Sequence, residues 1–286
     1  MARAALWGRA RALAVAALWI ALFGAVGLGA TLLLAAAVGW AGLPGEWEMA
    51  AGSTAAIVGF GLATWVVGHR LDRRSWAALG WGEPRRLAVR WGAGVGLGAA
   101  MAALAVGLAV IASGATVRAD AATEAGTLVA PLAVGLVAAA LFEELVFRGY
   151  PLRRLADVVG VVAATGLLGV GFAAAHLGNP NVTPLGTLNI GLAAVWLAAA
   201  FFSPGAMPLA WGLHFGWNAG LALGFEAPVS GLTFDLPLVE YEAGRHVWID
   251  GGAFGPEGGV VATVVFSAGT AALIAARTRR TGGEGS

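Results

Sequence analysis

The sequence predicts an all-α protein, a polytopic integral membrane bundle of about eight transmembrane helices, read as one membrane domain over residues 1–286. Three observations carry this prediction. Hydrophobic residues make up 59% of the chain and charged ones 12%, about half the charged share of an ordinary globular protein. Charge-free stretches recur at the length that crosses a bilayer, about 20 residues. The basic residues, all 17 of them arginines, gather at alternate ends of those stretches. A soluble particle cannot be coated with so little polar surface, and disorder is excluded for the same reason. Cysteine is absent, which removes disulfides, cysteine nucleophiles, cysteine-based zinc sites and iron–sulfur clusters.

Residues 12–38 form the first expected span and 49–68 the second. The third lies within 91–117, and the fourth covers 125–142 with an extension beyond. Residues 158–225 contain no Asp, Glu, Lys or Arg. That stretch fits three spans, cut near 178–184 and at Ser203-Pro204-Gly205, where Gly and Pro break helices. The eighth span is roughly 259–276. The apolar run after Arg11 is longer than the 7–15 residues of a signal-peptide core, so a retained helix is expected.

In this arrangement Arg3, Arg9, Arg11, the six arginines of 70–90, Arg148, Arg153, Arg154, Arg277, Arg279 and Arg280 share one side. Arg118 and Arg245 fall on the other, with Glu46, Glu48, Asp120, Glu124, Glu240 and Glu242. The positive-inside rule makes the first side cytoplasmic, with both termini there.

Ionisable groups inside spans are costly and point to function. Three short patterns hold them. In Glu143-Glu144-Leu145-Val146-Phe147-Arg148, a helix puts Glu144 and Arg148 on one face. Glu143 points about 100° away and has no arginine at a pairing distance. Glu144 therefore reads as supporting and Glu143 as available, a desolvated carboxylate suited to general-base work. In Phe172-Ala173-Ala174-Ala175-His176, Phe172 sits one turn from the imidazole and can wall off one of its faces. In His214-Phe215-Gly216-Trp217-Asn218, His214 and Asn218 share a face, while Gly212, Gly216 and Gly220 form a ladder that lets another helix approach.

An unpaired glutamate, two histidines and an asparagine form a hydrolytic set. The carboxylate takes a proton from water, an imidazole holds that water, and the second His with the Asn stabilises an oxyanion. A zinc version would use two His and a carboxylate as ligands, but the His-Glu-x-x-His spacing is missing.

These three motifs, in this order, resemble those of the CAAX-prenyl endopeptidase and bacteriocin-processing family, intramembrane proteases also described as abortive-infection proteins. The resemblance covers roughly 125–225, with weaker similarity in Ser75-Trp76-Ala77-Ala78-Leu79-Gly80. It implies an eight-helix protease in which Glu143 activates water without a catalytic metal or cofactor. By motif position it implies that His176 assists the water, that His214 and Asn218 bind the oxyanion, and that Glu144, Arg148 and Phe172 support the site. Eukaryotic relatives remove the C-terminal tripeptide of prenylated proteins. The family's breadth leaves the substrate here as a peptide or lipidated protein, alongside membrane lipids and without nucleic acid. The expected location is the plasma membrane of a prokaryote.

Two rivals remain open: a non-enzymatic membrane protein that keeps the same polar cluster, for bacteriocin immunity or as a partner scaffold, and a small transporter with Glu143 as proton carrier. Glu143 and His176 lie level on consecutive helices only if the chain turns near 159–160. The expectation is a bend at Gly149-Tyr150-Pro151, an amphipathic stretch at 152–157, and a site in the arginine-side half of the membrane. The external segment 226–258 reads as a surface hairpin with strand-like 232–234 and 246–249. His69 and His246 read as solvated, and the twelve tryptophans as interfacial belts.

Overall fold

The computed structural model describes residues 2–119, 126–234, 236 and 239–283. The chain runs α1 (Ala2–Ala41), α2 (Glu48–Ala63), α3 (Leu87–Ser113), α4 (Gly126–Phe147), α5 (Tyr150–Val159), α6 (Val161–Ala175), α7 (Pro184–Phe201), α8 (Ala206–Phe225), α9 (Val247–Asp250) and α10 (Val260–Gly283). A wider π-helical stretch, Thr64–Leu71, continues α2. Each of the eight expected spans is a helix. Among the described residues six are long and apolar enough to cross a membrane. The other two are α6, whose 15 residues reach only about 22 Å, and α8, whose His214 and Asn218 hold its hydropathy down. The result is an all-α, polytopic membrane bundle.

Its outer surface is apolar, as lipid requires: Leu33, Ile111, Val162 and Val170 are all more than two-thirds exposed. Without a hydrophobic force between helices, close packing of small residues must hold them together. The closest packing joins α3 to α8. A methyl group added at Gly212 would collide with the Trp91 carbonyl, and one at Gly216 with that of Val95. The glycine ladder is thus a backbone-to-backbone seam. Because His214 lies two residues, or about 200°, from Gly212, the same seam turns His214 and Asn218 to the opposite side, into the bundle.

Between α4 and α6 the chain takes both expected turns. Helix α4 stops before Gly149, and Pro151 follows at the start of α5, where its missing N–H costs nothing. Helix α5 then ends at Gly160, whose φ of 83° suits a residue without Cβ. Contacts with the connection after α2 tie α5 down. Arg74 bridges Asp72 and Asp157, Tyr150 donates to Asp72 at 3.2 Å, and Arg153 donates to the Ala78 carbonyl at 3.0 Å. His69 is not simply solvated: its Nδ1 donates to the Arg74 carbonyl at 2.8 Å and its ring stacks on Trp76. His246 is exposed.

Segment 226–258 departs furthest from expectation. Residues 247–250 form a helical turn rather than a strand, and 232–234 contribute one isolated bridge, Val229 to Leu232. The strand that does form, β2 (Val239–Glu242), pairs antiparallel with β1 (Thr116–Ala119), with Arg118 opposite Glu240. Instead of a surface hairpin, the segment folds inward on two buried carboxylates. Asp250 accepts from Ser113 Oγ and from the Gly244 and Gly252 amides. Glu257 accepts from Trp217 Nε1 and from the Ser230 amide and hydroxyl. Buried carboxylates satisfied by several donors anchor this glycine-rich stretch beside the buried Val229, Leu236, Tyr241 and Phe254.

Candidate active site

A cavity of about 460 Å³ opens inside the bundle, and Glu143, Phe172, His176, His214 and Asn218 all line it. Three helices deliver these groups: α4 near its C-terminal end, α6 at its C-cap, and α8 on the face away from the glycine seam.

Glu144 and Arg148 are not on the cavity wall. They lie beneath it with essentially no exposure, and Arg148 Nη1 donates to Glu144 Oε1 at 3.0 Å. The same oxygen takes a bond from His214 Nδ1 at 2.9 Å. An ionised carboxylate only accepts, so Nδ1 carries the proton, and Nε2 is left facing the cavity. His176 is fixed in the same way, its Nδ1 donating to the Phe172 carbonyl at 2.8 Å. That carbonyl is one turn back in the helix, and α6 frays there, so the ring can reach it.

Both Nε2 atoms then point at Glu143. Its Oε2 lies 3.7 Å from that of His214 and 4.0 Å from that of His176. These separations are too long for direct hydrogen bonds. The Oε2 atom is buried, yet has no hydrogen-bond partner among the described residues. Phe172 touches both sides of the constellation, its ring 4.6 Å from the His176 ring and 4.2 Å from the Arg148 guanidinium carbon. Trp211 adds a tie between α8 and α4 by donating to the Val137 carbonyl at 2.9 Å.

With the geometry in place, the chain can be set against known proteins. The model of one family, described as type II CAAX prenyl endopeptidase Rce1-like, matches residues 125–220. Residues 125–220 are thus similar to that family. The segment holds Glu143, Glu144, Arg148, Phe172, His176, His214 and Asn218, and it supports a CAAX-type intramembrane protease fold. Among curated proteins, and among solved structures, no match is found.

The Rce1-like segment does not build the site alone. Ser230, Leu232, Phe234 and Glu257 come from 226–258, Met49 and Phe60 from α2, Trp196 from α7 and Phe266 from α10. Trp196 and Trp217 are buried and stack with Phe266, so these two tryptophans are core rather than interfacial. Glu257 and Trp217 escaped the sequence reading. The one signal available was an acid two residues from the start of the last span. Among the described residues, no group of three or more His, Asp or Glu is arranged to hold a metal ion.

Packing relates the site to the two ends of the neighbouring helix α2. Phe142 packs against Phe60 at 5.6 Å. Phe60 is about 18 Å along the helix from Glu48 and about 15 Å from Arg70. Phe60 is thus slightly nearer the arginine end of α2, in keeping with the arginine-side expectation, and α5 carries the chain on toward that end before α6 returns.

Proposed function

We propose that this integral membrane protein is an endopeptidase that hydrolyses a peptide bond of a membrane-associated polypeptide, using water activated by Glu143. The observation that carries the reading is the buried, unpartnered Glu143 Oε2 between two imidazole Nε2 atoms. A water molecule held there would give one proton's hydrogen bond to Glu143 and the other to the bare Nε2 of His176. Its lone pair would then be free for a carbonyl carbon. On attack, the proton passes to Glu143 and the carbonyl oxygen becomes an oxyanion. Asn218 offers its amide N–H to that oxygen. His214 can offer Nε2–H only when it carries a second proton, its Nδ1–H remaining on Glu144. Collapse of the intermediate expels the amine, which takes the proton from Glu143, leaving a carboxylic acid whose remaining proton passes to the amine as the products ionise. Glu144 and Arg148 orient these groups from beneath the cavity without touching substrate, and Phe172 backs His176 from the cavity wall.

The apolar wall suits aliphatic or aromatic residues, or a lipid chain, next to the scissile bond. The arginine-rich end is read as cytoplasmic, with both termini there, in a prokaryotic plasma membrane. The test is cleavage of a quenched-fluorescent peptide, prenylated and unprenylated, by the purified protein in lipid nanodiscs. Glu143→Gln should slow hydrolysis at least about 100-fold while leaving the melting temperature unchanged. Normal cleavage by that variant would overturn the assigned chemistry. Wild-type protein that binds but cleaves neither peptide would favour a non-enzymatic binding role.

A further inference from the structure

We infer that substrate reaches Glu143 from the face that carries residues 226–258, opposite the arginine-rich face, and that it is the juxtamembrane stretch of a polypeptide anchored at that face. The inference deepens the proposed hydrolytic reading and rests on it for the word substrate. Two sets of observations carry it.

The first is the composition of the cavity walls. Apart from the transmembrane helices, the contributors belong to the 226–258 side: Met49 at the start of α2, Asn179 after α6, and Ser230, Leu232, Phe234 and Glu257, whereas Val146 and Phe147 of α4 line it on the arginine side of Glu143. Asn179 donates to the Ser230 carbonyl at 2.9 Å, joining the α6–α7 connection to this segment as one rim. Leu232 on that rim is 45% exposed, so the wall is continuous with the outside. Leu28 of α1, 54% exposed, extends the wall toward lipid. A chain entering here meets water and bilayer together, which suits a peptide emerging from an anchor.

The second is the closed floor. Toward the arginine-rich face, Leu79, Tyr150, Leu152 and Met207 show almost no exposed surface. The connection after α2 is pressed against the start of α8, where the Met207 amide donates to the Gly80 carbonyl at 3.2 Å. Beneath these residues the Arg74–Asp72–Asp157 and Arg153–Ala78 contacts pin α5 across the end of the bundle. A peptide from that side would have to displace a fully packed layer, which protein interiors resist.

The chain has no native cysteine, so single cysteines can report sidedness directly. Leu232→Cys marks one face and Ala77→Cys, in the arginine-rich connection, marks the other. Ala139→Cys, one turn from Glu143 on the cavity wall, and Ala175→Cys, on α6, are the probes. Intact cells and inverted vesicles are treated with a membrane-impermeant maleimide. The probes should label in the same preparation as Leu232→Cys and lose labelling in the preparation that labels Ala77→Cys. Labelling together with Ala77→Cys, or in neither preparation, overturns the inference. Alkylation needs no turnover, so failure of the Glu143 chemistry would leave this result standing, and the reverse also holds.

Discussion

His214 gives its Nδ1 proton to Glu144 at 2.9 Å, on the same oxygen that Arg148 holds at 3.0 Å. The buried ion pair is therefore also the device that sets the tautomer and angle of an imidazole in the cavity. This separates the adjacent glutamates physically: Glu144 is held through Oε1 by Arg148 and His214, and Glu143 faces the cavity.

Loss of one partner should accordingly damage both fold and chemistry. Arg148→Met strands the Glu144 charge, and breaking a buried pair in this way costs about 3–5 kcal/mol. Thermal unfolding in detergent should show a large drop in melting temperature. The double variant Glu144→Leu with Arg148→Met should regain much of that stability but no hydrolysis, because His214 then lacks its acceptor. A double variant as active as the wild type would show that the network is packing alone.

Asn218 is the cleaner probe of oxyanion binding, since no support role is assigned to it. Asn218→Ala should lower kcat by about 10²–10³, the usual cost of removing one donor, and leave KM near its original value. A change confined to KM would move Asn218 from the reacting oxygen to substrate binding.

The helical bundle and the pairing of Glu144 with Arg148 were legible because both follow from local rules, apolar length and i,i+4 spacing. The turns at Gly149 and Gly160 were legible too, since level placement of Glu143 and His176 requires them. The roles of Glu257 and Trp217 were not, because each depends on the other across 40 residues and neither has a helical neighbour that hints at the contact.

The glycine seam gives a paired stability test. Gly216→Ala drives a methyl into the Val95 carbonyl of α3, and such overpacking costs about 1–3 kcal/mol. Gly224→Ala in the same helix meets no atom within 4 Å, and should be neutral or stabilising by about 0.5–1 kcal/mol. Equal melting temperatures for the two variants would mean that α3 and α8 are not in backbone contact.

Chelation tests the choice between water activated by Glu143 and a zinc-bound water. Under the proposed chemistry, incubation with a strong chelator followed by its removal leaves the cleavage rate unchanged. Loss of activity that added zinc restores would instead assign Glu143, His176 and His214 as ligands.

Glu257 gives the last test, because it joins the segment over the cavity to the helix that carries His214 and Asn218. Its carboxylate accepts from Trp217 Nε1 at 2.8 Å and from Ser230 Oγ at 2.8 Å, and its own carbonyl accepts from Asn189 of α7. Glu257→Ala removes the side-chain acceptor and leaves a buried indole N–H and a hydroxyl unpaired, at about 1–3 kcal/mol for each group. The backbone tie to Asn189 remains, so the segment should loosen at its Ser230 end rather than detach. Limited proteolysis within 226–258 should therefore accelerate. Because Trp217 immediately precedes Asn218, kcat should also fall, whereas a purely protective cover would change only KM. Trp217→Phe, which keeps the ring but not the donor, should reproduce the kcat effect in weaker form. Unchanged proteolysis and unchanged kcat in both variants would mean that the segment and α8 are held by other contacts, and that Glu257 has no part in positioning the site.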